Sequence, residues 1–478
     1  MAVNWPLEDA ACEDRLSRCG NIQGGYTVTI PLILASKSRP RRDILVGAGI
    51  SPTIRVSQVD EVAAVDDFAA EAGIPVSEIP TEQRTLFLSG VKARAVAQVY
   101  NTIREAAAEA TGERITVRPL EDESGISHSE PISSVLSADP GLGGLQTGPF
   151  VLGCDSMFEL SGVAYGKPHD VPTARERLKL MRGQRGVLWT GHTLIDVASG
   201  REERAVSMAQ VMFADFTDDE IEKYLATGEP LEVAGSFTLE GFGGAFIESI
   251  SGDPHGVIGL SLPLVRKLFQ RFDVSWPDLW NVSASKKNPI VREKAGIPVE
   301  NVHQPGDGWI ECACGQRHWG LNGAAGVLVA RRNPDSGKVT DIVLQHRSAW
   351  SAEGGTWGTP GGAMADGENA FEGALRESFE EANINPEDIE VVGSYKEDHG
   401  PWSYTTVLAF EKPGHSVNPR ANDDESTEVQ WVPFEKVPSY KLLTAFGNDW
   451  PQFAQRVQSL SESMLARDAV AQQTESEQ

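Results

Sequence analysis

Cysteine is scarce in this chain. Cys12, Cys19, Cys154, Cys312 and Cys314 are the five in 478 residues. An odd, sparse set is no disulfide framework, and a reducing compartment fits it better. Long apolar runs are missing as well, so no stretch offers the ~20 apolar residues of a membrane helix. The opening MAVNWPLEDAACEDRLSRCG has no basic start followed by an apolar run, so no secretory signal is expected. Basic charge is also short: 42 Lys and Arg face 68 Asp and Glu, a formal net charge of -26. Such a chain is a poor general binder of nucleic acid or of an anionic membrane. A local cationic pocket for one phosphorylated small molecule remains compatible with it. We therefore expect a cytoplasmic protein with small-molecule partners, no nucleic acid and no membrane, and leave homodimerisation open.

The length favours more than one domain. Residues 1–28 lack periodicity and are expected to form a disordered leader. TIPLILA at 29–35 reads as a buried strand, followed by the polar SKSRPRR and a helix over DILVGAGI. Strand, polar loop and helix in that order point to an α/β domain. The segment 103–149 is rich in Ser, Gly, Pro and acid in its second half, and we expect an insertion or flexible loop there. FVLGC at 150–154 is again strand-like. A polar, Pro-containing stretch at 273–307 is the expected linker, so that a cut near residue 290 would separate the halves. Beyond it, GAAGVLVARR and DIVLQHR read as a hairpin around NPDSGK, NAFEGALRESFEEANI as a helix and SYTTVLAF as a strand. Residues 466–478 read as a flexible tail.

The strongest chemical signal is GGAMADGENAFEGALRESFEEANI at 361–384. On a helix, Glu377, Glu380 and Glu381 stand at i, i+3 and i+4 and share one face. Three clustered carboxylates repel one another unless a hard cation neutralises them, which points to Mg²⁺ or Mn²⁺. Gly361 and Gly362 allow the preceding loop to approach closely, and Arg376 is expected to pair with Glu368. Gly362, Glu368, Arg376-Glu377 and Glu380-Glu381 at these spacings resemble the Nudix box. Ser378 stands where an aliphatic residue is usual, and Asn383 replaces the closing Gly, a position where Asn tolerates the left-handed conformation. The resemblance implies a Nudix hydrolase over 308–465, an α/β/α sandwich cleaving a nucleoside diphosphate linked to a moiety X. It also implies metal-holding, catalytic Glu377, Glu380 and Glu381, with Gly362, Glu368 and Arg376 shaping the loop. Trp357 and Trp402 are candidates for base stacking, and Glu428 for a further acid.

LILASKSRPRRDIL at 32–45 resembles the opening of the Maf family, whose Ser-x-Ser-x-x-Arg falls here on Ser36, Ser38 and Arg41. Amides at a helix N-terminus, hydroxyls and a guanidinium all suit phosphate. Arg39 and Pro40 depart from the usual order. VDE at 59–61, LSGVKARAVA at 88–97, VLGCDSMFELSGVAYGKPHD at 151–170 and the block at 228–265 resemble the family's later motifs in order. Over 29–272 this resemblance implies an α/β domain like that of the inosine-triphosphatase group. Asp155 would be the water-activating acid, Glu61 would help hold a metal, and Ser36, Ser38, Arg41, Lys92, Lys167 and Glu240 would bind substrate. Glu240 is more similar to the 7-methyl-GTP branch than to the dTTP and UTP branch, Ser156 matches neither, and base preference stays open.

Together these features lead us to expect a two-domain α/β and α+β chain that is a bifunctional, metal-dependent nucleotide hydrolase. The alternative is a nucleotide-sensing regulator of cell division with one or both sites not turning over. CACGQRHWG at 312–320 holds zinc-type donors in Cys312, Cys314 and His318. Structural zinc usually takes four ligands with wider Cys spacing, so we read a turn packed by Trp319.

Overall fold

The computed structural model describes residues 30–112, 148–281, 306–312, 315–422 and 425–476. The expected leader lies outside these residues, as do most of the expected insertion and linker. No described helix is long and apolar enough to cross a membrane.

The first half runs β1 (Leu32–Leu34), α1 (Arg39–Gly47), β2 (Thr53–Ile54), α2 (Glu61–Ala72), α3 (Thr81–Gly112), β3 (Phe150–Leu160), β4 (Val163–Tyr165), α4 (Val171–Met181), β5 (Arg185–Asp196), β6 (Glu202–Phe213), α5 (Asp218–Ala226), β7 (Ile247–Gly252), α6 (Pro254–Ile258) and α7 (Leu262–Arg271). Its sheet is ordered β2-β1-β3-β5-β6-β7, with β4 paired to β3. β1 runs parallel to β2 and β3, whereas β3, β5, β6 and β7 pair antiparallel in sequence. Alternation along β1 divides the core between the faces, because successive strand side chains point opposite ways. Leu32 and Leu34 pack with Leu268 and Phe269 of α7, while Ile33 packs with Ala93, Val96 and Ala97 of α3. Glycine brings α3 onto the sheet: a Cβ at Gly153 would fall 2.2 Å from the Ser89 oxygen, and one at Gly191 would fall 2.3 Å from that of Thr85. This close approach lays Lys92 against the middle of β3.

The second half runs β8 (Trp309–Glu311), β9 (Arg317–Trp319), β10 (Ala324–Arg332), β11 (Val339–Arg347), β12 (Trp357–Gly358), β13 (Gly361–Ala363), α8 (Ala370–Ala382), β14 (Ile389–Asp398), β15 (Ser403–Glu411), β16 (Ser426–Pro433) and α9 (Thr444–Ser476). The main sheet is ordered β12-β11-β10-β15-β14, with β13 on β10 and β16 on β11. The expected β10–β11 hairpin forms, and β10 runs parallel to β15. Val327 and Val329 face α8, whereas Leu328 and Ala330 face Phe453, Val457 and Leu460 of α9. The result is a helix–sheet–helix sandwich. The C-terminal residues differ from expectation, since α9 continues through Ser476 where a flexible tail was read.

The segment expected to loop out from Ile103 also differs. α3 continues to Gly112, and Ile103 and Ala107 are buried. They belong to the core of the second half, with Val327, Phe371, Leu375 and Ile389. Val99, Ile103, Ala106 and Ala107 form one stripe of α3 at helical spacing, while Val96 and Tyr100 face the first sheet. The alanine- and glutamate-rich sequence here is the end of a helix shared between two cores. At the linker, Trp276–Leu279 form a 3₁₀ turn and Leu279 is buried in the first half.

Candidate active sites

In the first half the loop between β1 and α1 carries Ser36, Ser38 and Arg41. Ser38 is the α1 N-cap, and its amide donates to Ser36 Oγ at 3.3 Å. Arg41 differs from expectation. Its Nε donates to the Gly259 carbonyl at 2.8 Å, Nη1 to Ser36 Oγ at 3.0 Å and to the Cys154 carbonyl at 2.9 Å, and Nη2 to Ser156 Oγ at 3.0 Å. Four of five guanidinium N–H groups are thus engaged within the protein. Arg41 braces the loop against β3 and α6, and little of it is left to grip phosphate.

Lys92, Asp155 and Glu61 meet. The Lys92 Nζ donates to Asp155 Oδ1 at 2.7 Å and lies 2.9 Å from Glu61 Oε1. Asp155 is buried in β3, and its Oδ2 is enclosed without a hydrogen-bond partner. Burial pushes its carboxyl above the usual range, against the pull of Lys92 and then Arg41. Glu61 opens α2, which is capped by the Asp60 carboxylate. Lys167 is placed elsewhere, exposed and 3.7 Å from Glu232. Glu240 lines a cavity of about 680 Å³ with Arg39, Asp43, His255 and Leu262. Its loop is held by Glu229, which accepts from the amides of Phe242 and Gly243, each at 2.9 Å.

In the second half Asn369 caps α8, accepting from Phe371 and Glu372, and Glu372 returns a bond from the Asn369 amide. The helix stops at Asn383, whose φ of 55° is the left-handed conformation expected for it. Arg376 is buried and donates to Glu368 at 2.6 and 2.9 Å, to Glu377 at 2.5 Å, to Glu380 at 3.0 Å and to the Ala363 carbonyl at 2.8 Å. Burial opposes its charge, but Glu368 and Glu377 outweigh this and hold the guanidinium well above its usual value. Glu381 accepts from the Gly361 amide at 3.1 Å, and a Cβ at Gly362 would fall 2.9 Å from the Glu377 carboxylate. Glu377 and Glu381 therefore reach the glycine loop, and Glu380 stands beside them on Arg376. Arg55, from just after β2 in the first half, is ion-paired with Glu380. Trp402 is buried, with Nε1 donating to the Trp319 carbonyl at 3.1 Å, and is no open platform for a base. Trp357 stacks on His346 at 4.7 Å, and Glu428 lies exposed opposite His346.

The family model for Maf-like protein matches residues 31–272, and that for the NUDIX domain matches residues 322–454. A relative from Bifidobacterium longum is 57% identical over 479 residues, covering 91% of this chain and 99% of its own length. It bears the name nucleoside triphosphate pyrophosphatase/Nudix hydrolase fusion protein. The chain belongs to this Maf–Nudix fusion family. A nucleoside triphosphate pyrophosphatase of Streptomyces coelicolor is 43% identical over 52% of this chain and 94% of its own. Among solved structures, a Nudix hydrolase from M. smegmatis is 32% identical over 32% of this chain and 96% of its own, with a TM-score of 0.28.

Within the Maf–Nudix frame, three residues escaped sequence reading. Arg55 carried no signal, because its partner Glu380 lies 325 positions away. Tyr100, buried beside Arg55, looked like one more core aromatic. Glu229 sits in the quoted 228–265 block, but nothing in that block marked it as the anchor of Glu240's loop.

The donor sets fit divalent cations. In the Nudix half, Glu368, Glu377, Glu380 and Glu381 are faced by Arg376 and Arg55, which leaves two negative charges in excess. In the Maf half, the partnerless Asp155 Oδ2 next to Glu61 is an all-oxygen set of the kind hard cations prefer.

Proposed function

We propose that the Maf half hydrolyses a nucleoside triphosphate between the α and β phosphates, releasing monophosphate and pyrophosphate. The Nudix half cleaves a nucleoside diphosphate linked to a moiety X. What supports this most is that one chain holds two separate groups, Asp155–Lys92–Glu61 and Glu377–Glu380–Glu381, each against a close-packed loop.

A bound divalent cation supplies the charge that gathers phosphate oxygens and makes water easier to deprotonate. Asp155 keeps one oxygen on Lys92 and turns Oδ2 to the attacking water, whose proton it takes. Lys92 offsets the carboxylates of Asp155 and Glu61 and then the charge growing on the phosphate. Arg41 fixes Ser36 and Ser156 in place, so that hydroxyls and loop amides meet the phosphates. Arg39 and Glu240 line the neighbouring cavity, where Arg39 takes up triphosphate charge and Glu240 reads the base. Lys167 lies outside this set, exposed beside Glu232. In the Nudix half, Glu377, Glu380 and Glu381 hold the cation, and Glu368 with Arg376 keeps the loop in register.

The purified full chain with Mg²⁺ and a panel of nucleoside triphosphates and nucleoside diphosphate conjugates tests this. Stoichiometric pyrophosphate and monophosphate are expected from a subset of the triphosphates, and nucleoside monophosphate release from some conjugates. Tight binding without turnover across the panel would favour the sensor alternative.

A further inference from the structure

Cys312, His318 and His399 belong to neither catalytic group. Cys312 follows β8, His318 is the middle residue of β9, and His399 follows β14. The β8–β9 ladder is a separate two-stranded sheet with three residues per strand. An isolated hairpin of that size is marginal in water, so something must hold it to the body of the domain. The sulfur of Cys312 and one ring nitrogen each of His318 and His399 lie within 4.8 Å of one another.

The surroundings order these donors. The His318 ring lies flat on Trp402, with centroids 4.1 Å apart and planes at 9°. The His399 ring is 4.6 Å from that of His318. The Cys312 sulfur is 3.4 Å from the His399 carbonyl. Glu397 lies 2.8 Å from His399 Nε2. A carboxylate on one nitrogen of a histidine is the arrangement that orients the other nitrogen toward a metal and raises its basicity.

We infer that Cys312, His318 and His399 form a zinc site that pins the β8–β9 hairpin to the β14–β15 turn. One thiolate and two imidazoles, the donors found among the described residues, are a zinc-type set. Of the donors named from sequence, Cys314 lies outside the described residues, and His399 arrives from 81 positions beyond His318, where CACGQRHWG could not show it. The hairpin leads into the Nudix loop: Gly320 donates to the Gly308 carbonyl at 2.8 Å, Met364 to the Gly323 carbonyl at 3.1 Å, and Asn322 to Asp366 at 3.0 Å. Binding energy at the zinc is therefore folding energy for the approach to the catalytic loop.

The test uses the full chain, purified without chelator and washed in excess Mg²⁺ to strip carboxylate sites of transition metal. About one zinc per chain is expected by elemental analysis, in line with one three-residue donor set. Replacing zinc with Co²⁺ should give a thiolate-to-cobalt charge-transfer band, which carboxylate ligands cannot produce. Cys312→Ser should abolish that band, and Glu381→Gln should leave it. Glu397→Gln, a mild change outside the donor set, should weaken zinc binding roughly tenfold or more. Wild-type chain that carries no zinc and shows no thiolate band on Co²⁺ titration overturns the site. So does a zinc content that stays at one per chain in folded Cys312→Ser and His399→Gln variants.

Discussion

The two candidate catalytic groups solve different charge problems. The Maf half buries one carboxylate, Asp155, and meets it with the ammonium of Lys92, which also reaches Glu61. The Nudix half gathers three carboxylates around buried Arg376, sets Glu381 on the Gly361 amide beside them, and adds Arg55 from across the domain boundary. The first is close to balanced before any ion binds, and its tension is desolvation. The second is over-supplied with negative charge, and its tension is repulsion. A site of the first kind should respond more to protonation, and one of the second kind more to divalent cation.

The largest effects separate the halves chemically. Asp155→Asn should lower pyrophosphate release from triphosphates by about 10²–10⁴-fold while Nudix turnover is kept. Glu381→Gln should do the reverse, as measured by monophosphate release from a conjugate. If either variant silences both reactions, the two sites are not independent and the comparison fails.

Stability comes next. Arg376→Met leaves Glu368 buried without its partner and should cost about 3–5 kcal/mol, seen as a lowered denaturant midpoint for the Nudix half. Lys92→Met should cost less, because burial makes Asp155 easier to protonate than an ordinary aspartate and loss of Lys92 adds to that. Equal losses would contradict the contrast between balanced and crowded sites.

The pH dependence sharpens the same contrast. Burial raises the Asp155 carboxyl, and the base must be ionised to accept a proton. The acidic limb of kcat/KM for the Maf reaction should therefore lie above the ~4 of an ordinary aspartate, and should move up further in Lys92→Met. By linkage, holding Asp155 charged costs stability above its unfolded value, and that cost fades as pH falls through the raised value. A limb at or below pH ~4 would show that Asp155 is not the titrating base.

A smaller effect is expected at the boundary. Arg55→Ala removes a cation competing for Glu380, so half-saturating Mg²⁺ for Nudix turnover should fall by roughly five-fold, on the order of 1 kcal/mol. No change, or a rise, would mean that Arg55 supports the metal site. Smallest of all, Asn383→Gly should be neutral or slightly stabilising, whereas Asn383→Ala should cost about 1 kcal/mol, since alanine keeps the Cβ but loses the side-chain bonds to the Asn418 carbonyl and Arg420, read as a modest drop in Tm.

What could be read in the sequence was local or periodic. The i, i+3, i+4 carboxylates, the Arg376–Glu368 pair and the Asn383 stop depend on one helix and its loop, so spacing alone conveyed them. The apolar runs at β1 and β10 likewise read as strands, but which core each face lines came only from the structure. Lys92, Glu61 and Asp155 came through resemblance, since no spacing rule joins three elements of a sheet. Arg55 and His399 stayed hidden because each acts on a partner far along the chain. The bracing bonds of Arg41 stayed hidden for a related reason: a guanidinium beside serines suits phosphate, and only the structure shows the carbonyls of Cys154 and Gly259 that it also reaches. The end of α3 was misjudged because Ala and Glu make good helices and poor landmarks.

That end of α3 bears on ancestry. Ile103 and Ala107 fill a hollow over Val327 and Phe371 that an independent hydrolase would have to line for itself. A second half without that helix end would expose this apolar surface to water. A descendant that lost the first gene segment would inherit a second with an open, greasy wound, prone to stick to its own kind. Snipping the polypeptide near residue 290 would for the same reason give two pieces that cling together, one chain in all but covalency.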